Sequence, residues 1–148
     1  MNYQLVNSYC TPKPFVVVDA NEIVMQWKEK EMSTSSPEVF GPAVWFTLHT
    51  GAVHLPENIS PISLSRIKAF IDGIPDMLVA CAACSEHARY FIDSNKSRIT
   101  SFKSGSEVFN FYVDFHNYVN KRLNKPLMSY ADARKLYSGK KARVLKYN

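Results

Sequence analysis

A chain of 148 residues, 46% of them apolar, has the size of one domain and enough apolar material for a packed core without metal or disulfide staples. Part of its net charge of +5 lies in a C-terminal run of Lys140, Lys141, Arg143 and Lys146, with no interleaved aromatics or Gly-rich turns to read bases. A solvated basic tail over residues 140–148 is expected, and no nucleic-acid partner. No apolar run approaches the roughly 18 residues of a membrane helix, residues 1–18 lack a leader's pattern, and three cysteines, Cys10, Cys81 and Cys84, are too few for a disulfide framework.

Residues 1–36 read as an N-terminal extension and linker. Phe15 to Val18 has strand propensity, Asn21 to Glu29 suits a short helix around Ile23, Val24 and Trp27, and Ser33 to Pro37 is a linker. From residue 40 the period is helical. Pro42 suits a first helical position, and Trp45, Leu48, His49, Ala52 and Val53 follow at i, i+3, i+4, i+7 and i+8. Ser60-Pro61 starts a second helix, carried by Ile62, Leu64, Ile67, Phe70, Ile71 and Ile74 until Gly73 and Pro75 disturb it. A third begins near Cys81 and places Cys84, His87, Ala88, Phe91 and Ile92 on one face. A fourth, capped by Ser106, runs to about Asn124 through Val108, Tyr112, Phe115, His116, Val119 and Leu123. A fifth, shorter helix opens with Ser129 and Asp132 spaced as a capping box and stops at Gly139. The whole is an all-α bundle of four long helices.

Cys81-Ala82-Ala83-Cys84 is the sharpest chemical feature. Two intervening residues let a disulfide close across one helical turn, and a helix N-terminus favours the thiolate. The same spacing is half of a zinc site. The second half is not a cysteine pair, which leaves His87 as a third ligand and Cys10 or His116 as a fourth in a non-enzymatic zinc-binding or assembly module. Haem attachment requires a histidine where Ser85 stands. His49, His87 and His116 each share an apolar helix face. Buried imidazoles need partners, which either the core or a flat acceptor-rich ligand supplies.

Three segments then stand together: Gly41-Pro42-Ala43-Val44-Trp45-Phe46-Thr47-Leu48-His49; Cys81 to His87; and His116-Asn117 with Asn120, Leu123, Asn124, Lys125 and Pro126. In order and spacing over residues 40–138 this set resembles the Erv/ALR sulfhydryl oxidases, and the compact layout looks like the short branch encoded by large DNA viruses. The resemblance implies a sulfhydryl oxidase domain over 37–139, with four helices cradling non-covalent FAD and a short fifth helix. It implies Cys81 and Cys84 as the redox pair, and Gly41, Trp45, His49, Cys84, His87, His116, Asn117, Val119, Asn120, Lys121, Leu123 and Lys125 around the cofactor. It further implies thiol-bearing protein substrates or a redox relay protein, oxygen as electron acceptor, hydrogen peroxide as product and a homodimer. The compartment is the host cytoplasm or virion for a viral member, or the mitochondrial intermembrane space for a cellular one.

The sequence also departs from the family. Phe40 stands where tryptophan is usual, and Ala80 where proline commonly precedes the first cysteine. The distal cysteine pair of cellular members is absent, and Cys10 is single. The structural disulfide of the C-terminal region is also missing, so Gly139 onward is expected to be held by packing alone.

Overall fold

The computed structural model describes residues 36–139. The strand and helix expected in the N-terminal extension, Cys10 and the basic tail lie outside them. Six helices are present among the described residues: α1 (Pro37–Val53), α2 (Pro61–Met77), α3 (Ala82–Ser94), α4 (Lys96–Ser101), α5 (Gly105–Arg122) and α6 (Tyr130–Ser138). None is long and apolar enough to cross a membrane.

Each helix boundary has a local cause. Pro37, not Pro42, takes the first turn of α1, and Pro42 lies inside the helix. The expectation erred because a proline six residues in costs one backbone hydrogen bond, which the packed face of α1 outweighs. Similarly, α2 passes Gly73 and Pro75 and ends only at Met77. Pro75 is buried, and its carbonyl accepts hydrogen bonds from Leu78 N–H and from the Ser85 hydroxyl at 2.8 Å. The proline thus marks a joint between α2 and the start of α3.

The cap of α5 is Ser104 rather than Ser106. Its hydroxyl accepts Glu107 N–H, while the Glu107 carboxylate accepts Ser104 N–H, a reciprocal box. At α6 the Ser129 hydroxyl accepts Asp132 N–H but donates to the Asp132 carboxylate at 2.6 Å, so only half of the expected box forms. Helix α4 is an addition to the expected set. Its only buried residue is Ile99, too little for a periodic signal.

The core is aromatic and centred on α5. Val108, Phe109, Phe111, Tyr112, Val113 and Phe115 are buried, against Leu48 and Ala52 of α1, Ile71 and Ile74 of α2, and Ala88, Phe91 and Ile92 of α3. Helix α1 packs on α5 and α6, and α2 on α3. Gly105 lets the α5 N-terminus meet the loop after α1, donating its N–H to Pro56 O at 3.0 Å. A Cβ there would stand 2.5 Å from Leu55 O and 2.8 Å from Pro56 O, so only glycine permits the approach.

Candidate functional site

Cys81 and Cys84 form a disulfide, with Cα atoms 5.2 Å apart. Cys81 is the N-cap of α3, and its sulfur accepts Cys84 N–H at 3.3 Å. Both residues are half-buried. With each sulfur bonded to the other, neither is a free thiolate ligand. Among the described residues no three His, Cys, Asp or Glu side chains converge as a metal-binding group. His87 follows on α3, half-buried.

The other expected residues gather into a column of rings. The Trp45 indole lies flat on the His116 imidazole, centroids 4.1 Å apart and planes 5° from parallel. His49 Nε2 and His116 Nδ1 share a hydrogen bond of 3.0 Å, and the His49 ring stacks on Tyr137 at 4.5 Å. The contacts reach α3 through Phe115, whose ring meets Trp45 edge-on at 5.1 Å and stacks on Phe91 at 5.0 Å. Phe91 lies on the helix that begins at the disulfide. The fold thus assembles Trp45, His49 and His116 directly, and links them to the cysteine helix through a chain of rings.

Burial controls the electrostatics of the imidazole pair. His49, 1% exposed, is pushed down to about 4 by desolvation and then by His116. His116 is also pushed down to about 4, by desolvation and then by the charge of Lys125. Both rings are therefore neutral at pH 7, one donating to the other.

The two asparagines have partners of their own within the chain. The Asn117 amide donates to Met128 O at 2.8 Å and accepts Met128 N–H at 3.0 Å. Asn120 donates its amide to Pro126 O at 3.2 Å, while its backbone carbonyl accepts Lys125 N–H at 2.8 Å. These amides clasp the loop between α5 and α6, where Asn124 adopts φ 52°. Lys121, Leu123 and Lys125 are exposed at this end, Val119 is half-buried, and Gly41 lies on α1 with open space around it. Sequence reasoning missed Tyr137. Its only signal was a position one turn beyond Ala133 on α6, the spacing of an inward face.

The residues present fit a flavin nucleotide. His49 Nδ1 is a buried polar atom without a partner, as is Thr50 Oγ1, and such atoms are ordinarily satisfied. Around His49 stand flat rings, with cationic Lys121 and Lys125 at the adjacent end of α5. No third ring fits between Trp45 and His116, so a flat ligand must lie against the column and not within that pair.

The Erv1 / Alr family model matches residues 42–138. The 347L protein of Invertebrate iridescent virus 6 is 35% identical over 108 residues, covering 70% of this chain and 96% of that one. An FAD-linked sulfhydryl oxidase of African swine fever virus is 28% identical over 113 residues, covering 73% and 87%. Among solved structures, the yeast Erv1 core superposes with a TM-score of 0.65 at 21% identity, covering 76% of this chain and 92% of that one. This last likeness concerns the fold.

Proposed function

The chain belongs to the Erv1/Alr family, and on that footing we propose how it works as an FAD-linked sulfhydryl oxidase. The carrying observation is the Cys81–Cys84 disulfide at the N-terminus of α3. A substrate thiolate attacks Cys81 Sγ, forming a mixed disulfide and releasing Cys84 as a thiolate. Cys84 sits in the first turn of α3, where unpaired backbone N–H groups favour negative charge. A second substrate thiolate then attacks the substrate sulfur of the mixed disulfide, expelling Cys81. Two thiols have become one disulfide, and two electrons rest on the cysteine pair with two protons released. Bound FAD would supply the acceptor for that electron pair and its onward route to O2, which with two protons would give H2O2.

The chain's own residues bind and orient. Trp45, His49 and His116 offer ring faces and the free His49 Nδ1, while Lys121 and Lys125 offer charge to phosphate. Asn117 and Asn120 fix the loop that carries Lys125. Gly41, His87, Val119 and Leu123 complete the set we assign to the cofactor. A homodimer and a place in the host cytoplasm or virion belong to the same proposal, supported by the family and its viral relatives. Sedimentation of the pure protein tests the first, and localisation in infected cells the second.

Purified protein is expected to be yellow, with about one FAD per chain, and Cys81→Ser or Cys84→Ser to abolish dithiothreitol turnover while keeping the colour. Folded, colourless protein that takes up no FAD overturns the proposal, and so do both variants working at the wild-type rate.

A further inference from the structure

The surroundings of the disulfide have a composition that the chemistry above does not use. From Met77 through Ser85 the chain reads Met-Leu-Val-Ala-Cys-Ala-Ala-Cys-Ser, without a charged side chain. Met77 and Val79 are each 71% exposed, and Ala80, Ala82 and Ala83 are exposed as well. A lone exposed apolar residue needs no explanation, but a contiguous group around a reactive bond does. The segment is flanked by Asp76, which pairs with Arg89 at 2.8 Å, and by the exposed Glu86, so its nearest charges in sequence are acidic. Met77, Leu78 and Ala80 also line an apolar cleft of about 370 Å³ between α1 and α2, whose walls include Ala43, Thr47 and Phe70. Ala80 adjoins Cys81, so the lining of the cleft comes within one residue of the cysteine that a substrate attacks.

We propose that this surface selects the substrate: a cysteine-bearing protein segment with a large apolar residue beside its cysteine. The apolar side chain seats in the cleft while the thiol lies over Cys81. The inference rests on the oxidase reading, because only thiol oxidation brings a sulfhydryl-bearing molecule to Cys81, beside the exposed Met77–Ala80 segment. Charge argues for the same occupant. An anionic thiol finds no cation between Met77 and Ser85, meets Glu86 just beyond them, and finds Arg89 already paired with Asp76. An apolar side chain finds room and a matching wall.

The test uses the flavin-loaded full chain and two dithiol peptides that differ only in phenylalanine or glutamate beside the first cysteine. The expected KM for the phenylalanine peptide is at least about tenfold lower, as burial of a large apolar side chain warrants. Ala43→Trp fills the cleft from an exposed position, and the pair Met77→Glu with Val79→Glu charges the exposed surface beside Cys81. Each is expected to bring the two KM values within about twofold, with dithiothreitol turnover and flavin absorbance unchanged. Equal KM values in the wild type overturn the proposal. Loss of flavin from Ala43→Trp also overturns it, because the cleft then houses the cofactor. So does conversion of a dimer to monomer with the peptide preference retained, because a second copy then covers the cleft. A wild type that oxidises no dithiothreitol overturns the oxidase reading itself, an outcome separate from the other three.

Discussion

Acidification should destabilise this protein through its paired histidines before its carboxylates matter. His49 and His116 are each pushed from 6.5 down to about 4, so between those values the unfolded chain binds protons that the folded chain refuses. A histidine whose folded value is depressed contributes stability that is complete above about 6.5 and is lost as pH falls towards 4. From pH 7.5 to 5, one such shift is worth about 2 kcal/mol at roughly 1.4 kcal/mol per unit. The fully buried His49 should supply most of that amount, and the half-buried His116 less, because solvent screens it. Urea unfolding of flavin-stripped protein at pH 7.5 and 5 measures the difference. His49→Gln replaces the titrating ring with a neutral amide and should remove at least half of the pH dependence. Stability that stays flat in the wild type over this range would refute the reasoning, as would a His49→Gln variant with the wild-type slope.

Two further outcomes follow from packing and hydrogen bonding. Gly105→Ala places a Cβ against the Leu55 and Pro56 carbonyls and should cost more than about 2 kcal/mol, since backbone on both sides must shift; a thermal melt within two or three degrees of wild type would contradict that. Asn117→Ala removes both bonds to Met128. It should lower stability by roughly 1–2 kcal/mol and weaken FAD binding by loosening the Lys125 loop, which fluorescence titration of FAD would detect.

Periodic burial made most of the fold legible, and non-periodic exceptions hid the rest. The faces of α2, α3 and α5 appear in the sequence as apolar residues three and four apart. The proline signals misled because Pro42 and Pro75 each remove one backbone bond, a cost that packing covers. Helix α4 had too few apolar residues to register. At the site, the types and spacing of Trp45, His49, Cys81, Cys84 and His116 were readable. The hydrogen bond between His49 and His116 was not, because it joins residues 67 apart in the chain. Nor was the clasp of Asn117 and Asn120 on their own loop, since an amide on a helix end has the same appearance whether it serves a ligand or the backbone.

The sulfur of Cys81 caps the helix that carries Cys84. A thiolate accepts an N–H bond better than a disulfide sulfur does, so reduction strengthens the cap. The reaction's most drastic covalent event therefore tightens the first turn of α3 while it removes the cross-link. Oxidised and reduced forms should share one backbone, and amide protection in the first turn of α3 should hold or rise on reduction and not fall. The protein can hold two electrons without rearranging, ready for the next substrate as soon as they depart.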